Sequence, residues 1–197
     1  MNELRTIAVF CGANSGAQPL YAQAAVAVGR EIARRGLNLV YGGGSVGLMG
    51  AVAQAALTGG TQVVGVIPHH LTTVELMGRP IGELIVVETM HERKAQMVGR
   101  ADGFIVLPGG FGTLDELFDV VTWGQLGLHS KPVGILDVDG YFTHLLAFID
   151  HGVAHGFIRP HHRGLILTDT DPARLLDALA TYEAPPGLVR TNGLEQA

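Results

Sequence analysis

Residues 6–44 read TIAVFCGANSGAQPLYAQAAVAVGREIARRGLNLVYGGG, and this stretch decides the fold. The apolar run Thr6–Cys11 predicts a buried strand that ends at a glycine. The Ala-rich, amphipathic segment Pro19–Arg35 predicts a helix, because a glycine follows it where helices commonly end. A second apolar strand, Leu37–Tyr41, then runs into three consecutive glycines. The stretch is therefore a strand–helix–strand unit, which is typical of a parallel sheet covered by helices.

The same alternation of short apolar runs and longer helical segments continues along the chain. Continuous apolar strands, rather than alternating ones, are typical of a sheet covered on both faces. We therefore expect a doubly wound α/β domain over residues 1–182, with a mostly parallel sheet of about seven strands, and a loose tail over residues 183–197. The further predicted strands are Thr61–Ile67, Leu84–Glu88, Gly103–Leu107, Pro132–Val138 and Leu165–Thr168, and the further helices are Val46–Leu57, Met90–Ala101, Thr113–Leu126, Tyr141–Val153 and Pro172–Thr181.

Composition excludes several classes of function. Only 16% of the 197 residues are charged and the net charge is −5, so the chain lacks the basic stripe that nucleic acids and membrane surfaces attract. It has no apolar run of roughly 18 residues that could span a bilayer, and no signal peptide. The single cysteine, Cys11, excludes an internal disulfide and a cysteine-based zinc site. We expect a cytoplasmic protein.

Three glycine-rich loops follow predicted strands, at Cys11–Gly16, Gly42–Gly50 and Pro108–Thr113. One such loop is equally well explained as an ordinary turn, but three at one sheet edge favour a ligand. Glycine lets backbone amides approach a ligand, and the helix start that follows attracts a phosphate. These loops predict a phosphate site at the carboxyl edge of the sheet. The residues expected to form it are Ser15, Gly43, Gly44, Gly47, Met49 and Gly109.

The second loop matches Gly-x-Gly-x-x-Gly at Gly42, Gly44 and Gly47, which raises the question of a dinucleotide site. Such a site needs a carboxylate near the end of the next strand, and that strand ends Gly-Val-Ile-Pro-His-His. The lysine-containing phosphate loop of nucleotide triphosphatases is also missing. A smaller phosphate ligand, such as a mononucleotide, fits best.

Charged residues beside the loops have both structural and chemical interpretations. Thr113 and Glu116 have the spacing of a capping box, in which each side chain satisfies the other's backbone amide. Glu116 is also placed to stay ionised near a helix start and to stabilise positive charge or orient a water. Arg93, Met97 and Arg100 are spaced to share one helix face, which in most proteins is solvated.

The sequence gives little support for a metal site or for a serine hydrolase site. Thr89 and Glu92 form a second capping box, so Glu92 is expected to be structural. His151 and His155 face one way on a helix, but no carboxylate accompanies them as in a zinc hydrolase. No Gly-x-Ser-x-Gly elbow of a serine hydrolase occurs.

Met90–Lys94 followed by Pro108–Glu116 resembles the Lonely Guy (LOG) family of cytokinin riboside 5'-monophosphate phosphoribohydrolases, historically mislabelled as lysine decarboxylases. The resemblance runs from Ile7 to about Gly140. It includes the segments Cys11–Gly16, Gly42–Gly50, Trp123–Gly127 and Lys131–Tyr141. A pyridoxal-dependent decarboxylase needs a lysine in a cofactor setting, and neither of the two lysines, Lys94 and Lys131, has one.

The resemblance implies a Rossmann-like fold and a homodimer whose helices complete the neighbour's site. It implies hydrolysis of the N-glycosidic bond of AMP, or of an N6-modified AMP, without cofactor or metal. The catalytic pair would be Arg93 and Glu116. The implied substrate contacts are Glu75, Arg93, Lys94, Gly110, Phe111, Gly112, Thr113, Leu114, Asp115, Glu116 and Thr122. Asp115 departs from the family, in which many relatives carry Glu.

Two other classes of function remain as alternatives. Molybdenum-cofactor carrier proteins resemble this fold and also bind phosphate at glycine loops, but a carrier has no need of Glu116 beside Arg93 and Lys94. An interaction scaffold would bind no nucleotide at all. A cytokinin nucleotide, AMP and other nucleoside monophosphates all remain open as the physiological substrate.

Overall fold

The computed structural model describes residues 4–72 and 80–186. Within these ranges, seven strands form one sheet in which all neighbouring strands are parallel. The strands are β1 (Thr6–Phe10), β2 (Asn38–Tyr41), β3 (Val63–Pro68), β4 (Glu83–Val87), β5 (Gly103–Val106), β6 (Val133–Leu136) and β7 (Ile166–Asp169). Their order is β4-β3-β2-β1-β5-β6-β7, which confirms the predicted α/β sheet.

Six α-helices and three short 3-10 helices connect the strands of the described chain. The α-helices are α1 (Pro19–Arg34), α2 (Gly47–Thr58), α3 (Met90–Arg100), α4 (Phe111–Leu126), α5 (Thr143–Ala154) and α6 (Pro172–Ala180). The 3-10 helices are His69–Leu71, Val138–Gly140 and Pro160–Leu165. Most bounds agree with the predicted ones to within two residues.

The apolar strands carry two hydrophobic layers because their side chains alternate between the two faces of the sheet. In β1, Ile7 and Val9 join one layer, whereas Ala8 and Phe10 join the other. Helices α1, α2 and α6 cover the first face, and α3, α4 and α5 cover the second. This double cover explains why the inner strands read as continuous apolar runs.

The strand order reverses at β1, which pairs with β2 on one side and with β5 on the other. From β1 the chain winds outward through β2, β3 and β4, then returns to β5 and winds outward through β6 and β7. At such a reversal the loops after the two central strands diverge and leave a crevice at their carboxyl ends. The fold therefore places a binding crevice between the loops that follow β1 and β5.

Two helix starts differ from the predicted ones. Helix α4 begins at Phe111 rather than Thr113, because the chain turns into the helix at Gly110. Helix α5 begins at Thr143, because Val138–Gly140 form a 3-10 turn in which Asp139 has a φ of 53°. None of the helices in the described parts of the chain is long and apolar enough to cross a membrane.

Candidate active site

The loops after β1 and β5 are joined to each other and to the start of α2 through Gly12. Its N–H donates to the carbonyl oxygen of Pro108 at 3.0 Å, and its own carbonyl accepts the N–H of Leu48 at 3.2 Å. Gly47, with a φ of 62°, packs so close that an added Cβ would lie 2.1 Å from the carbonyl oxygen of Ala13. Three of the strand-end loops therefore form one connected backbone framework.

A cavity of about 430 Å³ lies within this framework, at the carboxyl ends of β1 and β5. This volume lies within the range of small-molecule pockets, roughly 300–1,000 Å³. The lining residues are Cys11, Gly12, Ala13, Asn14, Ser15, Gly16, Tyr21, Leu48, Met49, Arg93, Pro108, Gly109, Gly110, Gly112, Thr113, Glu116 and Tyr141. Of the predicted phosphate residues, Ser15, Met49 and Gly109 are therefore in the cavity wall.

The start of α4 opens into the cavity. The first backbone bond of the helix runs from the N–H of Leu114 to the carbonyl of Gly110 at 3.1 Å, so the preceding N–H groups have no acceptor within the helix. Gly110, Gly112 and Thr113 line the cavity at this point. Unpaired N–H groups and the positive end of the helix dipole together suit an anion.

The predicted capping box of Thr113 and Glu116 is wrong. Gly110 is the N-cap of α4, so Thr113 is the third residue inside the helix and Glu116 the sixth. Thr113 is buried against the preceding loop, where an added Cβ on Gly109 would lie 2.1 Å from its Oγ1. Thr113 and Glu116 therefore do not occupy the N-cap and N3 positions that a capping box requires.

Arg93 and Glu116 form a buried ion pair in the cavity wall. Each residue is 6% exposed, and Nη2 of Arg93 lies 3.6 Å from Oε1 of Glu116. Nη2 also donates to the carbonyl of Gly42 at 3.2 Å. The Nε of Arg93 is buried and has no hydrogen-bond acceptor within the described residues. A buried unpaired donor is costly, so this N–H is an exception among the buried polar groups of the described residues.

The three residues predicted to share one helix face, Arg93, Met97 and Arg100, differ in burial. Arg93 and Met97 are buried against the sheet, whereas Arg100 is exposed near the end of α3. The solvated-face interpretation is therefore wrong for Arg93. One half of the capping box of Thr89 and Glu92 forms as predicted: Oγ1 of Thr89 accepts the N–H of Glu92 at 3.1 Å. The carboxylate of Glu92 instead accepts the N–H of Glu88, one residue before Thr89, at 2.9 Å.

The first glycines of the second loop support Arg93 and pack on β3 rather than lining the cavity. An added Cβ on Gly42 would lie 2.1 Å from Nη2 of Arg93, so only glycine leaves room for the guanidinium. Gly43 has a φ of 83° and packs on β3, where its added Cβ would lie 3.0 Å from Cβ of Ile67. Gly43, Gly44 and Gly47 are not in the cavity wall. The Gly-x-Gly pattern could have predicted that another group packs closely against this backbone. It could not have predicted that this group is the side chain of an arginine.

Lys94 is next to Arg93 in sequence but is not in the cavity wall. Its Nζ lies 3.0 Å from Oδ2 of Asp115 and 2.5 Å from Oδ2 of Asp119, both on α4. These two carboxylates, Asp119 more strongly, raise the pKa of Lys94 above its ordinary value, while partial burial acts in the opposite direction.

The remaining predicted contacts are scattered around the start of α4. Phe111 is 94% exposed, Leu114 packs on the core layer under α4, and Asp115 and Thr122 are exposed. Glu75 lies outside the described residues. Glu116, Arg93, Gly110, Gly112 and Thr113 are the predicted contacts that the structure brings together in one cavity.

Two tyrosines line the cavity that the sequence did not single out. The hydroxyl of Tyr141 donates to the carbonyl of Gly109 at 2.6 Å. The ring of Tyr21 contacts the ring of Tyr141 edge to face, with the two ring centroids 5.8 Å apart. Tyr21 is in turn packed on Gly16, where an added Cβ would lie 2.7 Å from its ring. The sequence could have indicated Tyr141, because this residue follows β6 closely and therefore lies at the carboxyl edge of the sheet, where the cavity is.

Cys11 lies at the floor of the cavity and is 4% exposed. Burial, and to a lesser extent the Glu116 carboxylate, raise the pKa of its thiol far above the ordinary value. A neutral thiol is a poor nucleophile, so Cys11 is not suited to covalent catalysis. Among the described residues, no group of three or more His, Cys, Asp or Glu side chains is arranged to hold a metal ion.

Sequence comparisons identify close relatives. A family described as "Possible lysine decarboxylase" matches residues 49–179. The chain is 52% identical over 182 residues to the Arabidopsis thaliana protein "Cytokinin riboside 5'-monophosphate phosphoribohydrolase LOG7", covering 92% of this chain and 84% of that protein. It is 50% identical over 181 residues to the "Probable cytokinin riboside 5'-monophosphate phosphoribohydrolase LOGL2" of Oryza sativa subsp. japonica, covering 92% and 74%.

Structural comparisons find the same fold in more distant proteins. The molybdenum cofactor carrier protein of Chlamydomonas reinhardtii superposes with a TM-score of 0.68 at 20% identity, over 90% of this chain and 96% of that one. The molybdenum cofactor binding protein of Rippkaea orientalis superposes with a TM-score of 0.66 at 20% identity, over 92% and 98%. At this identity the likeness establishes the fold alone.

Proposed function

Because the chain belongs to the LOG family of cytokinin riboside 5'-monophosphate phosphoribohydrolases, we propose that it hydrolyses the N-glycosidic bond of a nucleoside 5'-monophosphate. The substrate is AMP or an N6-modified AMP, and the products are the free base and ribose 5-phosphate. The observation that carries this proposal is a buried Arg93–Glu116 pair in the wall of a cavity that also contains an open helix start.

The 5'-phosphate binds at the start of α4. Backbone N–H groups there have no acceptor within the helix, and Ser15 and Thr113 supply hydroxyl groups in the same cavity. Holding the phosphate at this point fixes the position of the sugar, which lowers the entropic cost of reaching the transition state.

Glu116 acts on the anomeric carbon of the ribose. Breaking the bond from this carbon to the base nitrogen builds positive charge on the sugar ring, as in glycoside hydrolysis generally. A carboxylate fixed nearby stabilises that charge and orients a water for attack. The water oxygen bonds to the anomeric carbon, and the base leaves with the bonding electrons and takes up a proton. The reaction consumes one water and needs no cofactor.

Arg93 holds Glu116 and the sugar in place. Its Nη2 is shared between the Glu116 carboxylate and the Gly42 carbonyl, which fixes the plane of the guanidinium. Arg93 also lines the cavity, so its side chain lies beside the space that the substrate fills.

Base release from AMP and from adenosine tests the proposal. The purified protein is incubated with AMP, N6-isopentenyladenosine 5'-monophosphate and adenosine, and the free base is separated by chromatography. We expect base from one or both nucleotides and at least about 100-fold less from adenosine, because the phosphate contacts are lost. Tight binding of nucleotide with no base from any substrate would favour a carrier instead.

We also propose that the protein is a homodimer. Phe111, Phe118 and Thr122 are exposed and are spaced to share one face of α4, beside the cavity. Phe111 is 94% and Phe118 is 41% exposed. Monomeric proteins rarely leave large apolar side chains aligned next to a ligand site, and a second copy would cover them.

Light scattering after gel filtration tests the dimer. We expect a mass of about twice 20.8 kDa for the wild type, and the monomer mass together with weakened base release for Phe118→Glu. Leu57→Glu is the matched control, because Leu57 is also 41% exposed but lies on α2, across the sheet. A wild-type monomer with full activity would refute the dimer.

We further propose that residues 1–182 form one domain, that the protein is cytoplasmic, and that it binds no nucleic acid. The described part of the chain builds a single sheet, and the net charge of −5 opposes binding to phosphate backbones. Fluorescence microscopy of the tagged chain in its host tests the location.

A further inference from the structure

Two neighbouring residue pairs join α3 to α4. Arg93 and Glu116 meet inside the cavity, and Lys94 meets Asp115 and Asp119 outside it. We propose that Lys94 is a positioning residue: it fixes α4 against α3 and thereby sets the separation of Arg93 and Glu116. This inference rests on the proposed hydrolase function. It differs from the substrate contact that the family resemblance implies for this lysine.

The geometry around Lys94 is that of a bridge. Its Nζ lies within 3.0 Å of both aspartates, and its side chain is only 13% exposed, against 53% for Asp115 and 30% for Asp119. Asp115 and Asp119 are four residues apart and therefore lie on one edge of α4. An ammonium group has three donors, and two of them are directed at these carboxylates. Lys94 thus contacts two residues of α4 and lies outside the cavity wall.

The bridge matters because the two helices are supported separately. Helix α3 packs mainly on β1 to β4, whereas α4 packs on β1 and on the Pro160–Leu165 turn. Side chains therefore carry much of the link between them. A single exposed ion pair adds little, but one largely buried ammonium shared by two carboxylates restrains the helices at two points.

Sequence adjacency transmits the restraint to the reacting groups. Lys94 directly follows Arg93 on α3, and Asp115 directly precedes Glu116 on α4. A shift of α4 relative to α3 must therefore change the 3.6 Å separation of Arg93 and Glu116. A misplacement of about 1 Å at reacting groups can cost about 100-fold in rate.

A double-mutant cycle on AMP hydrolysis tests the bridge. The variants are Lys94→Met, the pair Asp115→Asn with Asp119→Asn, and all three changes together. We expect kcat to fall about 10- to 100-fold in each, with KM within about threefold of wild type, and the triple variant to be no worse than the others. Lys94→Arg should keep kcat within about threefold, because a guanidinium can also bridge two carboxylates.

Arg100→Met is the matched control, since it removes a cation from the exposed end of α3 without touching α4. It should leave kcat and KM within about twofold of wild type, as surface changes usually do. A substrate contact instead predicts that Lys94→Met raises KM at unchanged kcat and that the aspartate variant resembles wild type. That result, or additive losses in the triple variant, would overturn the bridge.

Failure of the proposed function is separable from failure of the bridge. Absence of base release by the wild type defeats the hydrolase proposal alone. The same cycle is then measured on the free energy of unfolding by urea titration, since a bridge couples α3 to α4 with or without catalysis. Non-additive losses between Lys94→Met and the aspartate pair would support the bridge, and losses confined to Lys94→Met would overturn it.

Discussion

Gly109 lies at the closest contact between the loop after β5 and the helix that follows it. An added Cβ there would be 2.1 Å from Oγ1 of Thr113 and 2.8 Å from the backbone nitrogen of Gly12. Neither neighbour can move freely, because Thr113 is buried in α4 and Gly12 joins two loops. At this residue a side chain is excluded by contact rather than by backbone conformation.

Gly109→Ala is therefore expected to displace the start of α4. We expect a loss of about 1–3 kcal/mol in the free energy of unfolding, the usual cost of overpacking, and a KM for AMP raised more than about 10-fold. Urea unfolding and steady-state kinetics measure the two effects. Gly99→Ala is the control: it lies in α3 with open space around it and should stabilise by at most about 1 kcal/mol. Equal behaviour of the two variants would contradict the packing argument.

Tyr141 fastens the segment between β6 and α5 to the loop after β5. Its hydroxyl donates to the carbonyl of Gly109 at 2.6 Å, and its ring contacts Phe142 and Tyr21 edge to face. The bond connects the loops of two adjacent strands at the carboxyl edge. Tyr141 thus holds the loop that leads into the start of α4.

Tyr141→Phe removes this bond and keeps the ring. We expect KM for AMP to rise about fivefold, the equivalent of about 1 kcal/mol for one hydrogen bond, with a smaller change in kcat. Steady-state kinetics of base release give both constants. Tyr182→Phe, which deletes a hydroxyl outside the cavity wall, should leave KM unchanged. If Tyr141→Phe also leaves KM unchanged, the hydroxyl does not support the loop.

Helices α1 and α6 are joined at the far end of the sheet by Arg35. It contacts Glu31 at 2.7 Å and Asp177 at 2.7 Å and donates to the carbonyl of Ala173 at 2.8 Å. Hydrogen bonds from Arg34 and Arg35 lower the pKa of Glu31 from 4.5 to about 2, although partial burial opposes the shift. The carboxylate therefore stabilises the folded state wherever it is ionised.

Arg35→Met should lower the free energy of unfolding by about 1 kcal/mol at pH 7, a modest value because these side chains are partly solvated. Since the pKa of Glu31 is lower in the folded state, its contribution is complete above pH 4.5 and is lost as the pH falls towards about 2. The difference between wild type and variant should shrink over this range in urea titrations. Arg30→Met on α1 should change stability by less than about 0.5 kcal/mol at both pH values.

For the whole molecule, hydrophobic pattern was enough to predict the architecture. Strands such as Thr6–Phe10 are apolar on both faces because helices cover both, and the helix after this strand ends at a glycine with a φ of 67°. Both features are encoded in short stretches of sequence, and both agree with the fold of the whole chain. The bounds of α4 escaped prediction because Thr113 and Glu116 imitate a helix cap while Gly110 provides the real one.

The sequence predicts the site residues that directly follow strands. It does not predict the contacts that the site makes between segments distant in sequence. Glycine loops and Glu116 stand beside strand ends in the sequence, so their meeting follows from the parallel sheet. That Gly42 leaves room for Arg93, 51 positions away, depends on how α3 packs across the sheet. The pairing of Lys94 with α4 and the contact of Tyr141 with Gly109 are likewise tertiary, and no local pattern encodes them.

We propose that the cavity with Arg93 and Glu116 cleaves a nucleotide rather than only binding it. Time courses of adenine and ribose 5-phosphate release from AMP, for wild type and Glu116→Gln, distinguish cleavage from binding, with AMP affinity measured by calorimetry on both. We predict equimolar products from wild type, and for Glu116→Gln a kcat at least about 100-fold lower with Kd within a few fold. Equal rates for the two proteins, or binding without products in both, would contradict it.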